Sequence, residues 1–244
     1  MSVKEHLISL VPNRLELSAR FNYNRLLGRL EPEMDIIENI AGRRRRCIDV
    51  GANVGLYSYR FARLFRYVES FEPIPSCAEI INSSKLPNVT VHKSALSNQQ
   101  GQAALNIPAT GEPEATCFAS LSNQFAETDI LTVDLQTLDS FEFSDVDLIK
   151  IDVEGHELEV LQGGLETLKR ESPSLLIEIE QRHHPATGIE EIFSFIQELG
   201  YCGSFLQHGR MKDLSEFDFA THQSAADPRS PEYINNFIFQ ADRE

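Results

Sequence analysis

Carboxylates recur in this chain where apolar runs give out. Asp49 follows Cys47 and Ile48, Glu72 follows Ser70 and Phe71, Asp152 and Glu154 follow the run Leu148 to Ile151, and Glu178 and Glu180 interrupt the run Leu175 to Ile179. Acids so placed can accept hydrogen bonds from hydroxyls, hold a cation, or take a proton from an alcohol. The first of them opens D-V-G-A-N-V-G, residues 49 to 55, where Asn53 sits between Gly51 and Gly55. Those glycines carry no Cβ to keep a bound nucleoside away from the backbone amides. The spacing lacks the third glycine of G-x-G-x-x-G, which argues against a nicotinamide-dependent dehydrogenase.

A fixed negative charge at Asp49 suits a ligand with a cationic end better than a phosphate. S-adenosyl-L-methionine, with its ammonium and sulfonium groups, has that character. Glu72 lies 23 residues after Asp49, in S-F-E-P, where an acid can accept both hydroxyls of a ribose. In H-K-S-A-L-S the small residues Ser94 and Ala95, with Leu96, would let an adenine ring lie flat on the backbone. In L-I-K-I-D-V-E-G-H-E, Asp152, Glu154, His156 and Glu157 converge on the methionine end of such a ligand, and Glu157 could equally serve a helix dipole. An acceptor alcohol needs a base, and His156, Glu154 and His183 are the groups that can be tuned to accept a proton near neutral pH. The competing readings are that His183 and His184 are surface loop histidines and that Glu154 hydrogen-bonds loop amides. Oxygen ligands at Asp152 and Glu154 would suit magnesium, but no spacing enforces a metal site and none is expected.

The elements that must carry these residues alternate strand and helix from Cys47 onward, which predicts an α/β fold with a doubly wound, mostly parallel sheet. Strands are expected at 47 to 50, 67 to 71, 89 to 93, 146 to 151 and 174 to 180, with a helix starting near Val54. In such a sheet ligands bind at the carboxyl ends of the strands, which is where the acids fall. Ala103 to Ile107 and Ile130 to Leu135 read as an inserted pair of strands, and A-S-L-S-N-Q-F, residues 119 to 125, lies inside that insertion. A helix over 189 to 199 and antiparallel strands at 201 to 207 and 233 to 240 close the sheet, joined by a polar stretch, 208 to 232, that reads as a lid or mobile loop. Residues 1–45 form an N-terminal helical segment packing on or capping the domain at 46–244. Its second helix is expected from Glu31 to Ala41, with Pro32 in the first turn. Arg43 to Arg46 read as solvated charges complementing that helix end, or as a docking patch for an anionic substrate. Arg14, Arg20, Arg25 and Arg29 could line a substrate mouth.

The 244 residues, 41% hydrophobic and 24% charged, are the composition of a globular chain with a substantial core. A formal net charge of −15 argues against a nucleic-acid partner, whose phosphates need Lys and Arg to displace their counterions. Cys47, Cys77, Cys117 and Cys202 are scattered and read as reduced, mostly buried thiols. No apolar run is long enough for a signal peptide or a membrane span, so a cytoplasmic protein without stable membrane insertion is expected.

Taken together, D-V-G-A-N-V-G, the S-F-E-P acid, A-S-L-S-N-Q-F, K-I-D-V-E-G-H-E followed by L-Q-G-G, and S-L-L-I-E-I-E resemble the FkbM-type branch of class I S-adenosylmethionine-dependent methyltransferases over residues 45 to 185. The resemblance implies a Rossmann-like, seven-stranded methyltransferase fold. It also implies O-methylation of a small-molecule or glycan acceptor with a free hydroxyl, commonly a sugar or natural-product hydroxyl. A rival reading is an inactive module that binds the cofactor without turnover, against which the intact Asp49, Gly51, Gly55 and Glu72 speak.

Overall fold

The computed structural model describes residues 11–108, 120–121, 128–184, 188–228 and 230–241. Strands β1 (Arg46–Val50), β2 (Tyr67–Phe71), β3 (Val89–His92), β7 (Val146–Ile151) and β8 (Ser174–Glu178) pair in parallel. They carry apolar residues on both faces because both are covered. Ile48, Val50, Ile149, Ile151, Leu175 and Ile177 point into one core, under helices α4 (Glu157–Gly163), α5 (Leu165–Glu171) and α6 (Glu190–Glu198). Cys47, Leu148 and Leu176 point into the other, where Leu17 and Phe21 of α1 (Asn13–Leu26) and Tyr57, Tyr59 and Phe61 of α2 (Leu56–Phe61) pack on them.

With β9 (Tyr201–Gln207), β10 (Arg210–Asp213) and β11 (Asn236–Ala241), the order of the main sheet is β10-β9-β11-β8-β7-β1-β2-β3, so the winding reverses between β1 and β7. Eight strands are present instead of seven, and the sheet is mixed, since β11, β9 and β10 join antiparallel. The added strand lies in the stretch read as a lid or mobile loop. His208 and Gly209 both take positive φ, 51° and 72°, the turn that matches the twist of a two-residue hairpin, and it folds β10 back onto β9. A 3-10 turn at Leu214–Glu216 and a π-helical turn at Ala220–Ser224 occupy much of the remainder.

Other local expectations shift for identifiable reasons. The helix expected from Glu31 to Ala41 splits into a 3-10 turn, Pro32–Asp35, and one α turn, Ile37–Ile40, as the chain bends to bury Met34, Ile37 and Ile40. Helix α2 begins at Leu56 and not near Val54, because Asn53 and Gly55 take left-handed φ of 49° and 87°. Strand β8 stops at Glu178, short of residue 180. Of the basic run, Arg45 pairs with Asp145 and Asp147, and Arg46 enters β1 to pair with Glu69, so neither is simply solvated. The insertion forms its own sheet in the order β4-β6-β5, from Ala95–Leu96, Thr128–Gln136 and Gly101–Pro108. Most of residues 119 to 125 lies outside the described residues, but Ser120 bridges to Asn106 of β5. Cys47 and Cys77 are buried free thiols, Cys202 is exposed, and Cys117 lies outside the described residues. No helix among the described residues is long and apolar enough to cross a membrane.

Helix α4 ends at Gly163 close against the backbone of Ser97 and Asn98, where no side chain fits. A Cβ there would stand 2.0 Å from the Ser97 carbonyl oxygen, which backbone cannot accommodate. Gly163→Ala is expected to destabilise the fold by about 1–3 kcal/mol, read as a lower urea midpoint at unchanged slope.

Candidate active site

At the reversal of strand order a cleft of ≈ 800 Å³ opens along the carboxyl ends of β1, β2, β7 and β8. One half is built by the turn after β1. The amides of Gly51 and Ala52 donate to the Phe71 carbonyl, which ties this turn to the end of β2. The next amide, Asn53 N–H, donates to Glu72 Oε2 at 2.7 Å, and Ile74 N–H donates to Glu72 Oε1 at 2.8 Å. The Glu72 carboxylate is thus clamped by two backbone amides, with lone pairs left on the side that lines the cleft. Burial pushes its pKa up to about 7, against the pull of the Ile74 and Asn53 amides. Ala95 and Leu96 line the same half, whereas Ser94 is buried but is not part of the lining.

Both glycines of the turn also make room for protein atoms. A Cβ on Gly51 would lie 1.8 Å from the Asp152 carbonyl oxygen, and one on Gly55 would lie 2.6 Å from Ile81 Cγ1. The first lets the β1 turn close onto the β7 turn, and the second seats the start of α2 on the neighbouring helix α3 (Pro75–Ser83). Gly51 lines the cleft and Gly55 does not.

Asp49 and Glu72 are buried at their strand ends, where they keep 0% and 4% of their surface. Ser58 Oγ donates to Asp49 Oδ2 at 2.6 Å, while Asp49 Oδ1 is buried with no hydrogen-bond partner among the described residues. Beside it stands Lys150, the register partner of Asp49 in β7, whose Nζ donates to Asp152 Oδ2 at 2.8 Å and lies 4.5 Å from the centre of the Tyr57 ring. The Tyr57 hydroxyl donates to Glu31 Oε2 at 2.7 Å, bringing an acid from the N-terminal segment onto the cleft wall. Burial raises the pKa of Asp49, Glu31 and Glu178, with Lys150 opposing it in each case. Burial would lower the Lys150 ammonium, but Asp152, Asp49 and Glu31 outweigh it and hold its pKa above the ordinary value. Lys150 and Glu31 had been given no role from sequence. The signal for Lys150 was present as a lysine inside the apolar run D-L-I-K-I of a central strand. Glu31 carried none, because its partners come from α2 and β11.

The residues read as possible bases gather in the turn after β7. Glu154 takes a left-handed φ of 54°, and its Oε2 meets His183 Nε2 at 2.8 Å. Burial raises the Glu154 pKa, partly offset by His183. His156 lines the cleft with Nε2 3.0 Å from Ser97 Oγ, and burial lowers its pKa. His183 is not part of the lining, so it reaches the cleft only through Glu154. His184 is buried on Glu157 at 2.6 Å, and the other oxygen of Glu157 accepts from Gly155 N–H at 2.8 Å. His184 is therefore not a surface loop residue, and Glu157 does more than face a helix dipole. Of the N-terminal arginines, Arg20 and Arg29 line the cleft, and Arg14 and Arg25 do not.

Glu72 binds its proton more tightly folded than unfolded, so its contribution to stability is present below pH 4.5 and is lost as pH rises toward 7. The unfolding free energy in urea is expected to fall between about pH 5 and pH 8, with Glu72 alone accounting for about 3 kcal/mol. Glu72→Ala should flatten that share of the slope.

A family model described as the methyltransferase FkbM domain matches residues 49–202. Among solved structures, the chain is similar to a methyltransferase FkbM from Methylobacillus flagellatus KT, at 16% identity and a TM-score of 0.51, over 80% of this chain and 43% of that one. It therefore spans less than half the length of that protein. It is also similar to a precorrin-6y C5,15-methyltransferase from Geobacter metallireducens GS-15, at 12% identity and a TM-score of 0.46, over 86% and 87% of the two chains. A search of curated protein sequences returned no match. Such identities speak to fold alone, whereas the family model covers more than half of the sequence, including the β1 turn, the Glu72 clamp and the β7 turn. This chain belongs to the FkbM methyltransferase family.

Proposed function

We propose that the chain is an S-adenosylmethionine-dependent O-methyltransferase whose acceptor is a hydroxyl of a small molecule or glycan. The observation that carries the reading is the Glu72 clamp. Two backbone amides fix a buried carboxylate at the end of β2, facing a cleft large enough for a nucleoside. Its remaining lone pairs fit a pair of ribose hydroxyls. Ala95 and Leu96 give an adenine ring an apolar wall. Toward β7 and β8 the lining turns acidic, with Asp49, Asp152, Glu154 and Glu178, and the unpartnered oxygen of Asp49 fits a cationic group better than an anion. When bound, S-adenosylmethionine supplies a methyl group already activated by its sulfonium charge.

The chain's own task is then to align an acceptor and remove one proton. Glu154 is the base in this reading. Its carboxyl lines the cleft, and burial raises its affinity for a proton toward that of a useful base near neutral pH. His183, bonded to one carboxylate oxygen, fixes the rotamer. His156 is the weaker choice, because burial already favours its neutral form but Ser97 and Glu159 occupy both ring nitrogens.

Glu72→Ala is expected to lower S-adenosylmethionine affinity more than about 100-fold by calorimetric titration, the loss of two hydrogen bonds to a charged group. Unchanged affinity would remove the assigned site. With an acceptor found by screening sugars and hydroxylated metabolites, Glu154→Gln should cut kcat by about 10²–10⁴ while leaving cofactor affinity within a few-fold. Retention of full turnover would pass the role of base to another group.

A further inference from the structure

The structure points to a residue that the reading above leaves idle. We propose that Lys150 is a positioning residue that holds Asp152 in place and keeps Asp49 charged for a cationic cofactor. The role rests on the cleft being the cofactor site.

Strand β7 alternates Leu148 and Lys150 on the α1 and α2 face with Ile149 and Ile151 on the other. Lys150 thus occupies a core position. Its side chain is 3% exposed, yet its only hydrogen bond among the described residues is to Asp152. An ammonium so buried is tolerable only in a negative surround. The groups facing it are Asp49 and the Cys47 thiol from β1, Asp152 after β7, Glu178 at the end of β8, Glu31 from the N-terminal segment and Tyr57 from α2. The other cations of the lining are placed differently. Arg182 is committed to Glu180 at 2.7 Å, Arg20 to Glu16 at 2.9 Å, and Arg29 is exposed. Lys150 is the cation at the base of the cleft among the described residues.

Carboxylates crowded into a low-dielectric volume cannot all stay charged without a counter-ion. A neutral carboxyl does nothing for a sulfonium. Removing Lys150 therefore has two opposed effects. It takes away a positive charge that repels a cationic ligand, and it lets Asp49 take up a proton. Burial decides between them, because Asp49 at 0% exposure, with one oxygen unpartnered, cannot hold its charge alone. The net effect is weaker binding, the reverse of simple charge arithmetic.

Calorimetric titration of the full chain with S-adenosylmethionine and with S-adenosylhomocysteine, which keeps the ammonium but lacks the sulfonium charge, tests this in two buffers of different ionisation enthalpy. Lys150→Met should lose at least about 10-fold in affinity for the sulfonium and less than about 3-fold for the thioether. Sulfonium binding by the variant should release about one proton more than binding by the native chain, as Asp49 ionises against the arriving cation. Lys150→Arg, which keeps the charge, should restore both values, and Lys150→Gln carries the methionine variant's expectation if that variant does not fold. Equal losses for the two ligands without extra proton release, or unchanged or tighter sulfonium binding, would overturn the role. A native chain that binds neither ligand would instead overturn the cofactor reading, and this role with it.

Discussion

The cleft depends on one contact between main chains. After β1 the chain turns at Gly51 with φ of 75°, and after β7 it turns at Asp152, whose amide donates to the Val50 carbonyl at 3.0 Å. The Asp152 carbonyl oxygen occupies the place of a Cβ on Gly51. No side chain separates the two turns, so their carboxylates are held at a spacing fixed by backbone packing. The Glu72 clamp extends the same device to β2, since the amides that follow Gly51 are those that bind Phe71 and Glu72.

Closing the strand ends in this way takes acids out of water, which burial makes costly. The offsets are distributed over several elements. Glu72 has two amides, Asp49 has Ser58, Glu31 has Tyr57 and Asn236, and Glu178 has Asn235. What remains is an excess of negative charge facing a cavity, with Lys150 at its base. Such a site is under-neutralised by its own residues and complementary to a cation.

The turn after β7 is held from three sides while carrying strain. Glu154 and Gly155 both take positive φ, which costs a non-glycine residue of order 1 kcal/mol and persists only where the surroundings enforce it. Ser120 of the insertion donates to the Glu154 carbonyl at 2.6 Å, His183 from the stretch after β8 meets its carboxylate, and Glu157 joins the Gly155 amide to His184. The insertion thereby meets the β7 turn at Ser120, while Ala95, Leu96 and Leu105 of its sheet and Leu121 add to the lining.

The alternation of apolar runs with helical patterns was enough to give the α/β class and the five parallel strands, because two-sided burial writes itself into sequence as unbroken Val, Ile and Leu. The placement of Asp49, Glu72, Asp152 and Glu154 at strand ends followed from where those runs stop. What the sequence could not carry were relations between distant residues. The meaning of Gly51 and Gly55 lay in Asp152 and Ile81, the burial of Asp49 and Glu72 in the turns that close over them, and the role of His183 in its reach to Glu154. Glu31 and Lys150 gained significance only when the N-terminal segment, β1, β7 and β8 met at one point. Local pattern reports which face of an element is dry, whereas the charge state of a buried group is set by what the fold brings within a few ångströms of it, and only the tertiary structure decides that.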